Sequence, residues 1–304
     1  MRAVVCPSVP ISPSQLVYTT THPMPQPRSG HVLIRVNRSD LFTRQGISLG
    51  LSSGLVLPRV LGIECVGVVK DAGGGVWKEG DVVAAIMGGM GRQFDGGYAE
   101  YTLVPHASVS LAIKLPQNVG WETFAAIPET FITVTSTDSL LIRGGSSSVG
   151  LACAALAKSS LFNVPTAIST TRAAHKVASM KASGTDNVVL DTGSINAEVE
   201  LVGMPTLKDS CAALAPDGVI AMIGMLSGVW KAESDPFAAL SPSKHLTIFG
   251  SNTIDMSSSP LQKIVDAVST GEIKLSVDKV FDMASAGEAN SAARKVVCLV
   301  DGIV

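Results

Sequence analysis

The stretch Ser139-Leu-Leu-Ile-Arg-Gly-Gly-Ser-Ser-Ser-Val-Gly150 constrains the fold of this chain more than any other. Leu140–Arg143 suit a buried strand, the glycines and serines a tight turn, and VGLACAALAKS from Val149 to Ser159 predicts a helix. Strand, glycine turn and helix start make a phosphate-binding corner. The first backbone N–H groups of the helix and the positive end of its dipole converge there. The flanking strand and helix distinguish a dinucleotide site from a bare glycine pattern.

In the common form of this corner three glycines serve the turn, the close backbone approach and the helix–strand packing. Here Gly145 and Gly150 hold the outer places and Ser147 the middle one, with Val149 between Ser148 and Gly150. The β-carbon of Ser147 keeps the backbone further from a pyrophosphate, and the hydroxyls of Ser146, Ser147 and Ser148 offer donors in part compensation. A second strand, Thr166–Thr170, follows and runs on as Ser169-Thr170-Thr171-Arg172, with Lys176 four residues later. Sites for NAD place an acid at this strand end to grip the ribose hydroxyls. Hydroxyls on Thr170 and Thr171 with two cations suit instead the 2′-phosphate of NADPH. The plainer alternative makes Arg172 and Lys176 solvated residues opening a helix.

At 304 residues the chain has room for two domains. It is 46% hydrophobic and 16% charged, an ordinary to apolar globular composition. A formal net charge of -2 gives no footprint for nucleic acid or acidic membranes. Five dispersed cysteines, Cys6, Cys65, Cys153, Cys211 and Cys298, suggest reduced thiols and a cytoplasmic setting. The apolar run at the N-terminus is too short for a signal peptide, and Ala212–Trp230 is too interrupted for a membrane span.

Residues 1–118 read as a β-rich unit, with strands at Val32–Val36, Glu64–Lys70, Asp81–Met87 and Tyr98–Val104 punctuated by proline and glycine clusters. From about Pro116 strands alternate with helices, which predicts a parallel sheet with helices on its faces. Helix Pro260–Ser269 and strand Lys295–Val300 close the chain.

These residues together resemble the medium-chain dehydrogenase/reductase superfamily, in its zinc-free, quinone-oxidoreductase-like branch. Asn37-Arg38-Ser39-Asp40-Leu41-Phe42-Thr43-Arg44-Gln45-Gly46 is similar to that branch's N-x-x-D-x-x-x-R-x-G motif. Pro58–Gly67 is similar to its P-x-x-x-G-x-E-x-x-G segment; Gly80–Val83, Gly96–Tyr101 and Lys295–Val297 also fit. The resemblance implies an α/β fold: a Rossmann doubly wound parallel sheet (119–252) inside a GroES-like catalytic domain built from 1–118 and 253–304. It implies hydride transfer from NADPH to a small-molecule acceptor such as a quinone or enone, in the cleft between the domains and often in a homodimer. It places Asn37 and Thr133 near the nicotinamide, and Gly224, Phe249, Gly250, Ser251 and Asn252 in loops along the cofactor. Asp40 and Tyr98 are candidates for polar groups near the acceptor. Their plainer roles are an Asp40–Arg44 ion pair and strand packing for Tyr98. No metal ligand set is expected, since Ile63 stands where zinc relatives carry a His and the five histidines are scattered.

Three segments run shorter than the family pattern: Val36 into Asn37, Ile132-Thr133-Val134 into Ser139, and Asp191–Gly203. Parallel neighbours need a crossover of roughly a dozen residues. Around 191–203, therefore, either a strand is lost or the two flanking strands are not neighbours. Each deletion predicts exposed apolar surface on the sheet. A degenerate dinucleotide-binding protein with little turnover is the alternative function that the deletions motivate.

Overall fold

The computed structural model describes residues 1–39, 56–131, 139–190, 199–213, 217–224, 227, 229, 244–248, 254–275, 277–289 and 296–300. They form two units. One comprises Met1–Ile132, Ser251–Ser269 and Ser276–Val304; the other comprises Thr133–Gly250 with Thr270–Leu275.

The first unit is β-rich. Strands β1 (Ala3–Cys6), β2 (Val17–Thr19) and β4 (Arg59–Val60) make a small antiparallel sheet ordered β2-β1-β4. The larger sheet centres on β3 (His31–Ser39), which pairs antiparallel with β5 (Glu64–Asp71) and β7 (Tyr101–Pro105). Beyond β5 lies β6 (Val82–Ile86). On the other side β15 (Val296–Leu299) pairs with β3 and, in parallel, with β14 (Lys279–Asp282). The late part of the chain thus returns to the β-rich unit. β7 alternates half-buried and buried residues, with Thr102 and Val104 inward, as one covered face requires. It starts later than the sequence suggests. The N–H groups of Gly97, Tyr98 and Glu100 donate to Gly62, Leu61 and Arg2, while the Glu100 carbonyl accepts the Val36 N–H of β3, and residue pairing with β3 begins at Tyr101. The core joins Val4, Val32, Ile34, Val36, Val60, Val83 and Tyr98, among others.

Helices α1 (Trp121–Ala125) and α2 (Pro128–Phe131) belong to this unit, so its first segment runs to Ile132 rather than to 118. Phe124, Ile127 and Phe131 are the buried apolar anchors that hold them there. Helix α6 (Leu261–Ser269) buries Leu261, Ile264 and Val265. It is tied to 114–118 by Gln262 bonds to the backbone of Lys114 and by Asn118 bonds to Ser269. Helix α7 (Ala286–Ala289) completes the unit.

The second unit is a parallel sheet ordered β10-β9-β8-β11-β12-β13. Its strands are β8 (Ser139–Arg143), β9 (Thr166–Thr171), β10 (Asn187–Leu190), β11 (Val199–Glu200), β12 (Val219–Met222) and β13 (His245–Ile248). This is the doubly wound order, reversing between β8 and β11. Helix α3 (Ser148–Lys158) buries Ala152–Ala157 without a break, because alanine favours helix and lets it lie close to the sheet. Helices α4 (Val177–Ala182) and α5 (Leu207–Ala213) follow β9 and β11.

The register resolves the short connection. Val199 is level with Ile142, Ile142 with Ser169, and Ser169 with Val188. Strand β11 therefore starts only two residues below the end of β10, three strand positions away. That is about 14 Å sideways and 7 Å along the strands. A connection of this length can reach about 30 Å when extended, enough for that gap. Six strands are present in the sheet among the described residues, and β10 and β11 are not neighbours. Val189 and Leu190 on β10 and every residue of β13 are exposed, Ile248 to 76%. Strands of a parallel sheet are ordinarily covered on both faces.

Candidate functional site: a phosphate-binding corner

The corner forms at the carboxyl end of β8. Gly144 takes φ 75°, a left-handed conformation that favours glycine. Its N–H donates to Thr170 Oγ1 at 3.3 Å, and the Gly145 N–H donates to the Thr170 carbonyl at 3.0 Å. The turn is thereby fastened to β9. A β-carbon on Gly145 would lie 2.5 Å from Ser169 Cβ, and one on Gly150 would lie 2.6 Å from Gly145 Cα and 2.7 Å from the Gly144 oxygen. Both outer glycines are therefore demanded by packing, as the sequence pattern expects.

Ser147 is the N-cap of α3. Its extended backbone lets Oγ accept the Gly150 N–H at 3.1 Å. One first-turn donor is thus satisfied internally, while the N–H groups of Ser148 and Val149 have no intrahelical acceptor. The hydroxyl of Ser146 accepts from Thr171 Oγ1 at 3.1 Å. Ser146 and Ser147 both act as acceptors toward the protein, so each keeps its own proton to donate. Residues 146–149 are half-buried, and Gly145 and Gly150 beneath them are buried. The rim can meet a ligand while its base stays packed.

Thr170 and Thr171 do not serve as the sequence suggests. They are 1% and 4% exposed. Thr170 Oγ1 accepts from Gly144, and Thr171 Oγ1 donates to Ser146 and accepts the Ala173 N–H. Both hydroxyls shape the turn: that of Thr171 spends its proton on Ser146, and that of Thr170 is buried. Arg172 is exposed and Lys176 half-exposed, and among the described residues neither has an ion pair. Gly224 lies just past β12, half-buried beside Leu201. Asn37 falls on β3 in the register shift between Val36 and Arg38. Asp40, Thr133, Phe249, Gly250, Ser251 and Asn252 lie outside the described residues. Tyr98 is 2% exposed in the β-rich core, its N–H on the Leu61 carbonyl, so it packs rather than facing an acceptor.

One residue was missed in sequence. Arg143, the last residue of β8, is 1% exposed, and its guanidinium reaches Asp209 and Ser210 of α5 at 3.3 Å. It joins the phosphate turn to the first helix beyond the sheet reversal. A cation ending an otherwise apolar strand is the signal that could have found it. Burial pushes the Cys153 thiol up to about 12, where thiolate is scarce at neutral pH. Among the described residues no group of three or more His, Cys, Asp and Glu gathers as a metal would need, and no helix is long and apolar enough to cross a membrane.

A doubly wound parallel sheet with a glycine–serine corner beside its reversal point, together with a β-rich unit joined by the late part of the chain, is the architecture of a two-domain dehydrogenase. Residues 29–117 match the alcohol dehydrogenase GroES-like domain, and residues 173–295 match the zinc-binding dehydrogenase domain. The chain is 26% identical over 256 residues to quinone oxidoreductase of Lama guanicoe, covering 75% of this chain and 74% of that protein. It is 24% identical over 321 positions to an NAD-dependent alcohol dehydrogenase of Saccharolobus solfataricus, covering 88% of this chain and 90% of that protein. Because 88% of this chain is fewer residues than 321, that relative carries segments this chain lacks. The structure of Escherichia coli quinone oxidoreductase complexed with NADPH superposes with a TM-score of 0.79 at 18% identity, covering 98% of this chain and all of that one. The protein belongs to the medium-chain dehydrogenase/reductase superfamily and is an oxidoreductase.

Proposed function

We propose that this protein binds NADPH and uses it, without zinc, to reduce a quinone, enone or related carbonyl acceptor. The observation that carries the reading is the pair Arg172 and Lys176 at the end of β9. Among the described residues they lack ion-pair partners, and no acid stands where a ribose hydroxyl would be gripped. Two cations beside a phosphate corner suit a 2′-phosphate. The corner supports dinucleotide binding in its own right, through the first-turn N–H groups of α3 and the donating hydroxyls of Ser146 and Ser147. When bound, the nicotinamide supplies the hydride. The absence of zinc is supported by ligand chemistry: Ile63 is an apolar side chain, 8% exposed, beside Glu64.

Thermal unfolding with NADPH and with NADH tests this. NADPH is expected to stabilise the protein more than NADH at equal concentration, and Arg172→Ala with Lys176→Ala to abolish the difference. Equal stabilisation by both dinucleotides would overturn the NADPH preference. No stabilisation by either would overturn the cofactor reading.

A further inference from the structure

A buried hydroxyl joins the phosphate corner to the basic turn at the end of β9. Up to Thr170, β9 holds the corner through the Gly144 and Gly145 N–H groups. The next bond outward belongs to Thr171. Its Oγ1 donates to Ser146 Oγ at 3.1 Å and accepts the Ala173 N–H at 3.2 Å. Ser146 lies on the rim of the corner, and Ala173 sits between Arg172 and the single 3₁₀ turn Ala174–Lys176. Thr171 is 4% exposed, so water competes little for its two bonds.

The far side of the turn is braced as well. The Lys176 N–H donates to the Ala173 carbonyl at 3.0 Å, and Ser179 Oγ donates to the Lys176 carbonyl at 2.8 Å. Hydrogen bonds thus run without a break from the corner to the first turn of α4. The side chains of Arg172 and Lys176, in contrast, make no hydrogen bond or ion pair among the described residues. The backbone of the turn is held in place while its two charges stay available.

The 2′-phosphate and the pyrophosphate of NADPH are carried on one ribose, so their separation is fixed by covalent geometry. A site that grips both must hold its two phosphate-binding parts at a matching distance. NADH carries the pyrophosphate alone and makes no such demand. We propose that Thr171 is the positioning residue for cofactor choice, its hydroxyl fixing the basic turn relative to the corner. This rests on the NADPH reading above. The proton of Thr171 is spent on Ser146, so it acts at one remove from the ligand. It occupies the Ser146 oxygen, which leaves the Ser146 proton for the pyrophosphate. It also holds the Ala173 N–H, so the turn need not be ordered when the 2′-phosphate arrives. A site already ordered before binding avoids that cost.

The test measures Kd for NADPH and for NADH by fluorescence titration of the full-length protein and its variants, each first checked by thermal unfolding. Thr171→Val keeps the side-chain shape and removes both bonds. It should weaken NADPH about tenfold more than NADH, the size expected of one or two hydrogen bonds. Thr171→Ser keeps the hydroxyl and should keep the wild-type preference. Ser146→Ala removes a donor and one end of the link, so both dinucleotides should weaken, NADPH the more. That variant carries the test if Thr171→Val does not fold. With Arg172→Ala and Lys176→Ala already in place, Thr171→Val should change the preference no further. An unchanged preference in Thr171→Val, or equal weakening of both dinucleotides by Thr171→Val and by Ser146→Ala, overturns the proposal and leaves the NADPH reading standing. A wild type that binds both dinucleotides equally, or neither, overturns that reading and the role of Thr171 with it, and the failure is then visible before any substitution.

Discussion

Gly150→Ala puts one methyl group into the base of the phosphate corner. Its carbon would sit 2.6 Å from Gly145 Cα, 2.7 Å from the Gly144 oxygen and 2.8 Å from the Gly145 carbonyl carbon. All three atoms are backbone, so no rotamer change relieves the contact, and the turn must move by several tenths of an ångström. Overpacking of this kind costs about 1–3 kcal/mol. Alanine in the first turn of a helix returns up to about 1 kcal/mol of propensity. The variant should therefore lose no more than about 3 kcal/mol of stability and remain folded. Its effect on the cofactor should be larger in proportion. At a concentration of 100 times Kd, NADPH stabilises the wild type by about 2.7 kcal/mol, and a tenfold weaker Kd leaves about 1.4 kcal/mol. The assay is thermal unfolding at fixed NADPH, with Gly74→Ala as control. Nothing lies within 4 Å of a β-carbon on Gly74, but its φ of +86° is strained for alanine. The control should lose stability and keep the full NADPH-induced shift. If Gly150→Ala keeps the wild-type shift, the corner is not where the phosphates sit.

Ser147→Ala removes the acceptor of the Gly150 N–H and should cost about 1 kcal/mol in urea unfolding. Arg143→Leu deletes the link to Asp209, which is 42% exposed and so can be hydrated. Stability should change by less than about 1.5 kcal/mol, while NADPH affinity measured by titration falls as α5 loses its hold on the turn. Glu100 is opposed by burial, but the hydrogen bonds and charge of Arg2 and the N-terminal amine hold its carboxyl below the ordinary range. Its stabilisation is present above the unfolded pKa of about 4.3 and is lost as pH falls through the lower folded value. Glu100→Gln should flatten the acid side of a stability–pH curve, and an unchanged acid limb would exclude the pair.

The corner and the alternation of strands and helices were legible because both depend on local rules: a turn needs glycine, and a helix buried against a sheet needs small residues. Gly145, Gly150 and the order around β8 and β9 follow directly. Thr170 and Thr171 misled because a sequence shows a hydroxyl but not what it bonds; here the nearest acceptors and donors are in the turn itself. Tyr98 misled for a similar reason, since its core place is set by Leu61, distant in sequence. The placing of β10 and β11 could be narrowed to two choices, but only the register with β8 and β9 selects one.

Among the described residues, strand β11 meets β8 through two residue pairs, Val199 with Ile142 and Glu200 with Arg143, and meets β12 through two more. The sheet therefore has a seam, with β10, β9 and β8 on one side and β12 and β13 on the other. The phosphate corner opens at the top of that seam, and Gly224 stands across it. On the proposed reading, a dinucleotide lying there would act as a clasp as well as a reagent. Without it, amides of β12 and β13 should exchange with solvent faster than those of β8 and β9. With it, the two sides should exchange as one body.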